Sequence, residues 1–495
     1  MDMTYPVGYL LGIDAGQTVT KAVLFDAAGT AVASARADTC VSSPHPRWQE
    51  RDMEEAWRQT AAAIGSCLRA AGVDGRAVSA VGICGHNDGV YPVDGNGYPV
   101  RPAILATDSR AHEYVGRYRA NGTAAQALAL TGQSPFAGSP AAVYSWLRDH
   151  EPATLQDARW LLFCKDWLRF RLTGVAATDP TEASASFTDI ADQAYSLAAL
   201  VLYELEFCAD KLPPIVRSDE IAGRVTPEAA EQTGLVAGTP VVTGAHDVAA
   251  ATVGMGAVAP GAVSLMMGTF SINQVVSTDY RLDHRWQARG FLTPGTWLHM
   301  STSPSSTSNL DWAVRLLGPY DAVGAPDLAA AVAAGCATDA ADAPLFLPFL
   351  YGSPHGEAIG ASFAGVRGWH TREHLLRAVL DGIVFNHRTH LDALGQAFSL
   401  TGPARLAGGG ARSPALSQLL ADAIGMAVEV TDTDEAGARG AAALAGIGLG
   451  WYSSPADAVA ATVRVVRRHD PVFDPVLAER YKRYLRLVDS LMLQA

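Results

Sequence analysis

Two aspartates each end an apolar run at the mouth of a turn built from small residues. Residues 10–21 read Leu-Leu-Gly-Ile-Asp-Ala-Gly-Gln-Thr-Val-Thr-Lys, and residues 240–247 read Pro-Val-Val-Thr-Gly-Ala-His-Asp. An apolar run stopping on Asp14 reads as a strand reaching its tip. Gly16 then lets the backbone approach an anion, Gln17 and Thr18 offer donors for phosphate oxygens, and a second strand over 21–26 returns from Lys21. Asp14 suits Mg²⁺, held directly or through water. An ordinary β-hairpin with glycine in its turn fits the same letters, since short glycine motifs are weak evidence alone. Asp247 also fits two roles, a proton acceptor at a strand end or the N-cap of the helix that follows it. As a cap it is worth about 1 kcal/mol; as a general base its loss costs about 10²- to 10⁴-fold in turnover.

The elements that must position these groups alternate between strand and helix, an α/β signature. Residues 52–71 read as a helix, with Asp52 as N-cap, Glu55 three residues later, Trp57, Ile64 and Leu68 on one face and Gly72 as the stop. A buried strand over 78–84 runs into Gly85-His86-Asn87-Asp88-Gly89, at the strand's carboxyl end where open α/β sheets present ligand groups. Near residue 258 the pattern restarts, with a strand over 262–267, the turn Gly268-Thr269 and a returning strand over 271–276. This echo of the opening hairpin predicts a second, structurally related domain. There a long helix over 371–398 precedes the strand 405–407 and the loop Gly408-Gly409-Gly410-Ala411-Arg412-Ser413-Pro414, whose last two residues fit N-cap and N1 of a helix. A glycine loop entering a helix suits a nucleotide and equally suits tight strand-to-helix packing. Residues 435–445 form a small-residue helix whose Gly437 and Gly440 admit a flat ring or another helix.

Bulk properties narrow the classes. At 495 residues the chain exceeds what one core usually organises, so two domains with a ligand cleft are expected. Net charge is 37 − 50 = −13 with no basic block, which disfavours nucleic acid and anionic lipid as partners. No apolar run reaches the twenty or so residues of a membrane helix. The N-terminus, with Asp2 and Pro6 and no basic flank, lacks a signal-peptide design, so a cytoplasmic location is expected. The six cysteines (40, 67, 84, 164, 208 and 336) are scattered and read as reduced, buried thiols.

In their order, from about residue 8 to about residue 450, these pieces resemble the FGGY carbohydrate kinases of the actin-like ATPase superfamily. The resemblance implies an α/β fold of two actin-like ATPase (ribonuclease H-like) domains with an interdomain cleft. Residues 1–255 would be an N-terminal domain carrying the sugar and the base, and residues 256–495 a nucleotide-binding domain with a C-terminal helix. It implies ATP and Mg²⁺ as cofactors and a small sugar or polyol as partner, and is compatible with a homodimer. On the nucleotide side it points to Asp14, Gly16, Gln17, Thr18 and Lys21, with Gln17 where the family usually has Thr. Gly268 and Thr269 match the second phosphate loop, Gly409 and Ser413 the adenosine side, and Thr307 and Asp311 fall near the nucleotide. Asp247 matches the catalytic base and, with Asp14, a metal ligand. It also joins Asn87, Asp88 and Asp108 as substrate-binding.

Departures bear on the substrate. Asn87-Asp88 stand where glycerol kinases carry Arg-Glu, and Ala106 stands in place of Trp, so glycerol is not the first expectation. Residues 344–353 and 382–391 look most like the L-xylulose kinase branch, which favours a ketopentose, with erythritol, ribulose and glycerol as alternatives. Residues 48–52 match the family's Trp-x-Glu-x-Asp element, where Trp48 is either a sugar-pocket wall or a core aromatic. His387 and His390, spaced i, i+3 without evident further ligands, read as structural. Two other classes compete. A sugar sensor on this scaffold would add a DNA-binding appendage, and a chaperone-like or filament-forming ATPase would add a client domain. The amphipathic helix over 476–493 forms neither.

Overall fold

The computed structural model describes residues 8–356 and 359–493; the stretch holding Asp2 and Pro6 lies outside them. Grouped by compactness, the chain forms two units. One comprises residues 1–258, 277–298 and 435–463, and the other residues 259–276, 299–434 and 464–495.

The first unit begins with strands β1 (Tyr9–Ala15), β2 (Val19–Phe25) and β3 (Ala31–Asp38), helix α1 (Met53–Ala71) and strand β4 (Val78–Gly85). It continues with β5 (Ile221–Arg224), β6 (Pro240–Val242), β7 (Ala245–His246) and helix α2 (Asp247–Met255). The sheet order is β5-β6-β4-β1-β2-β3, with β7 also on β4. Strands β1 and β2 are antiparallel, while β1 and β4 are parallel. Side chains alternate across β1, so Leu11 and Ile13 enter the apolar cluster that holds Trp57, Ile64 and Leu68 of α1. The ends of α1 are as the sequence reads them. Asp52 accepts from the Glu55 N–H at 2.9 Å, and Gly72 takes the left-handed conformation at φ 66°.

The second unit repeats the plan with β8 (Ala262–Met267), β9 (Ser271–Ser277), helices α3 (Thr307–Leu317) and α4 (Arg372–Gly395), β10 (Thr401–Ala407), α5 (Pro414–Ile424) and β11 (Val428–Thr431). Again the hairpin partner is antiparallel (β8 with β9) and the later strand parallel (β8 with β10, then β10 with β11). The echo in the sequence is therefore a repeated topology of hairpin, crossover and parallel strand.

Helix α6 (Ala436–Gly448) comes late in the chain and belongs to the first unit. It packs on the sheet by close approach at two glycines. A Cβ on Gly12 would lie 2.0 Å from the Ala438 carbonyl oxygen, and one on Gly82 1.8 Å from that of Ala441. Only glycine fits at these crossings, since real Cβ atoms do not approach so closely. The sequence left the role of Gly440 between a flat ring and a helix. A Cβ there would meet the Ala250 carbonyl oxygen of α2 at 1.8 Å, so its partner is a helix.

Four of the six cysteines are buried, whereas Cys40 is exposed and Cys336 intermediate, and all are free. The expectation of uniformly buried thiols is corrected for those two. His387 and His390 are buried in a hydrogen-bond network, with Nδ1 of His387 2.7 Å from Asn273 and Nδ1 of His390 2.7 Å from Ser301. Burial lowers both imidazoles to about 3, so each is neutral, as a structural role requires.

Candidate active site

Three strand ends meet in register in the first unit. Asp14 of β1 pairs with Cys84 of β4, and Ala245 of β7 pairs with the same Cys84. The chain then turns into α2, placing Asp247 two residues beyond Ala245 as the first helical residue. His246 is the N-cap, its Nδ1 accepting the Ala249 N–H at 3.1 Å. Capping is thus done by the neighbour, and Asp247 keeps its carboxylate, with Oδ1 accepting the adjacent Val248 N–H at 2.7 Å.

Electrostatics set these carboxylates apart from surface acids. Burial and then the Asp14 charge push Asp247 up to about 7, with Asp88 adding and the Val248 N–H and Arg289 opposing. Its side chain nonetheless stays 32% exposed, so the carboxylate is crowded yet reachable. Burial also raises Asp14, opposed by Lys21 and supported by Glu435. Lys21, directly across the β1–β2 ladder from Asp14, pairs with Glu435 at 2.7 Å. A Cβ on Gly437 would sit 2.6 Å from Oδ2 of Asp14, so the start of α6 must be glycine to leave that oxygen room. The donor set suits a hard cation that keeps most of its own water. It offers two carboxylates with raised proton affinity, and no cluster of three or more His, Cys, Asp or Glu fit to hold a metal occurs among the described residues.

The turn after Asp14 is held through its carbonyls. The Gly16 N–H donates to Val19 at 3.0 Å, Thr39 donates its hydroxyl to the Gln17 carbonyl at 2.8 Å, and the Thr39 N–H donates to the Thr18 carbonyl at 2.8 Å. Buried Arg51 donates to the Gln17 and Gly16 carbonyls. Arg51 lies inside the Trp-x-Glu-x-Asp element, and that position is its only signal in the sequence. The Gln17 side-chain oxygen accepts from the Thr107 hydroxyl at 3.0 Å, which ties the departure at Gln17 to residues 104–110. Thr18 is exposed at the turn's tip.

The three candidate sugar-side residues separate. Asn87 is half-buried in the loop after β4. Asp88, in the left-handed region at φ 63°, directs both carboxylate oxygens at Nη2 of Arg289, each at 2.9 Å. Asp108 is buried and anchors its own loop, accepting from Arg110 and from the Gln49 N–H at 2.7 Å. Glu50 grips the same Arg110 at 2.7 Å, and the Trp48 ring lies 3.8 Å from that guanidinium carbon. Residues 48–52 and 101–110 are thereby locked together.

Reading the sequence missed a buried group beside Asp88 and Asp247. The Thr181 hydroxyl accepts from the His246 N–H at 2.9 Å, and the Ser184 hydroxyl accepts from the Gly290 N–H at 3.2 Å. These bonds bring Glu182, His246 and Arg289 to one place, and all three are buried. The available signal was charge in apolar context, since Arg289 is a lone cation in Gln287–Gly290 and Glu182 follows Asp179-Pro180.

In the second unit the parallel register of Met266 with Ala407 places Gly268 and Gly408 just past adjacent strand ends. A Cβ on Gly408 would meet the Met267 carbonyl oxygen at 2.7 Å, so the glycine loop packs on the strand that leads into Gly268. Thr307, first residue of α3, donates its hydroxyl to the Gly268 carbonyl at 2.7 Å, and Ser308 donates to that of Thr269 at 3.1 Å. Thr307 therefore holds the loop. Asp311 is half-buried one turn further along α3. Gly409 is exposed in the short helix Gly409–Arg412, and Ser413 caps α5 by accepting the Leu416 N–H at 3.3 Å.

Residues 9–254 match the FGGY family of carbohydrate kinases, N-terminal domain, and residues 263–449 match the C-terminal domain of that family. Among curated relatives, an L-xylulose/3-keto-L-gulonate kinase of Escherichia coli is 33% identical over 98% of this chain and 97% of its own length. An erythritol kinase of Brucella abortus is 29% identical over 96% and 94%. Among solved structures, a xylulose kinase from Rhodospirillum rubrum superposes with a TM-score of 0.87 at 29% identity, covering 98% of each chain.

Proposed function

The chain belongs to the FGGY family of carbohydrate kinases, and from that premise we propose that it transfers the γ-phosphoryl group of ATP to a hydroxyl of a neutral ketopentose such as L-xylulose. The observation that carries this reading is the pair of carboxylates flanking the carboxyl end of β4, Asp14 at the tip of β1 and Asp247 at the start of α2, both raised by burial, with Asp247 at about 7. A base near neutrality takes a hydroxyl proton well at the working pH.

In this reading Asp247 accepts the proton of the attacking hydroxyl, and Asp14 and Asp247 would hold Mg²⁺. Bound Mg²⁺ supplies charge neutralisation between the phosphates. The turns at 16–18 and 268–269 contact the phosphates, Lys21 and Glu435 fix the charge balance beside Asp14, and Gly409 to Ser413 lie on the adenosine side. Asn87 contributes to the sugar, whereas Asp88 and Asp108 act by anchoring Arg289 and Arg110. Residues 1–255 supply most of the sugar site and the base, and residues 256–495 most of the nucleotide site. A cytoplasmic homodimer fits the reading; no helix among the described residues is long and apolar enough to cross a membrane.

The test is ADP release with ATP and Mg²⁺ across D- and L-pentuloses, pentoses, tetritols, glycerol and a no-sugar control. Strong turnover with one ketopentose is expected. Turnover independent of sugar, or nucleotide binding without turnover, would overturn the kinase reading.

A further inference from the structure

The buried group beside Asp88 carries more unsatisfied polar atoms than a core tolerates. Among the described residues, Nε and Nη1 of Arg289, both carboxylate oxygens of Glu182 and Nε2 of His246 are buried without a hydrogen-bond partner. Buried polar groups are nearly always paired, so atoms left open together point to something that pairs them when bound. Their placement supports this, because Arg289 acts electrostatically on Asp247, on Glu182 and on His246.

The geometry of the open atoms indicates what they read. A guanidinium grips a carboxylate through two parallel N–H groups on one edge, and both such edges include Nη2. In Arg289, Nη2 is already taken by both oxygens of Asp88 at 2.9 Å and by Gln287 at 3.2 Å. The remaining Nε–H and Nη1–H lie on different sides of the group and suit two separate oxygens. His246 uses Nδ1 as the acceptor for its cap, so its Nε2 carries the proton and is a further donor. Glu182 is held well above its ordinary range by burial, and as a neutral acid it both donates and accepts.

We propose that Arg289, Glu182 and His246 form a hydroxyl-reading wall of the sugar site, built for an uncharged polyhydroxyl substrate and against sugar acids. The proposal rests on the kinase reading and deepens it. The first experiment uses the wild-type protein. The best neutral sugar of the ADP-release panel is compared with gluconate and xylonate, each with ATP and Mg²⁺, and kcat/KM is expected to favour the neutral sugar by about 10²-fold or more. A sugar acid turned over as well as the neutral sugar would overturn the proposal. In the second, Arg289→Lys keeps a cation beside Asp88 while removing the two separate donors. The sugar KM is expected to rise about tenfold or more with the ATP KM unchanged, and Glu182→Gln is expected to retain more sugar affinity than Glu182→Ala. An unchanged sugar KM in a folded Arg289→Lys protein would overturn the proposal and leave the kinase reading standing. A wild-type protein inert towards every sugar would overturn both.

Discussion

The turn after Asp14 and the turn at Gly268 share a plan and differ in charge. Each joins the strands of an antiparallel hairpin whose first strand also pairs in parallel with a later strand. Each is held through its carbonyls, by Thr39 and Arg51 in the first unit and by Thr307 and Ser308 in the second. Two residues before the glycine, however, the first turn has Asp14 and the second has Met266. The shared part builds a loop whose carbonyls are already occupied, which suits an anion. The part that differs puts a carboxylate, with Lys21, Glu435 and Asp247 around it, in one copy alone. One scaffold thus serves twice, and the carboxylate sits in one copy alone.

That contrast can be broken most sharply at the acids. Asp247→Asn is expected to lower kcat by about 10²- to 10⁴-fold, and turnover of the native protein should rise with pH through about 7 as Asp247 loses its proton. A flat profile across that range would remove Asp247 as the titrating base. Asp14→Ala should cost about 10²-fold or more in turnover, while Met266→Ala, at the matching place in the other turn, stays within about threefold. Equal losses at the two positions would erase the distinction between the turns.

Smaller effects test the supports. Gly437→Ala forces a methyl against the Asp14 carboxylate and should destabilise by about 1–3 kcal/mol, together with a loss of turnover. Arg51→Ala removes charged donors from the first turn and should cost about 1.5–3 kcal/mol, against about 1 kcal/mol for Thr307→Val in the second. Denaturant titration measures all three. The charge on Asp247 is also read thermally. The folded state keeps the Asp247 proton to about pH 7, whereas an ordinary Asp releases it near 3.8, so ionisation costs stability increasingly between those values. Asp247→Asn should therefore melt above the native protein at pH 8 and level with it below pH 4. A variant that melts lower at pH 8 would show that the charge is not under strain.

What the sequence made legible follows from how local each feature is. The α1 caps, the Asp14 turn and the Gly268 turn are set by neighbours within a few residues, and the reading located them. The second strand was placed at 21–26 and runs over Val19–Phe25, an ordinary boundary error because Val19 already pairs with Asp38. The role of Asp247 was legible only as alternatives, proton acceptor or N-cap, and only coordinates show that His246 caps the helix of which Asp247 is the first residue. Arg289 was illegible because its partner Asp88 lies about two hundred residues earlier in the chain, and nothing near Arg289 announces the pairing. The division at 255/256 did not anticipate that residues 435–463 return to the first unit. Helix α6 was left between a flat ring and another helix because both ask for the same small residues.

The late return of α6 has a consequence in time. During synthesis the sheet that carries Asp14 and Asp247 is complete by residue 258, yet the helix that covers Gly12 and Gly82 ends at Gly448. At the usual pace of translation that face stays bare for about 10–40 seconds. A nascent chain of this protein carries that sheet unsealed until α6 has been made, and an interrupted message would release it in that state.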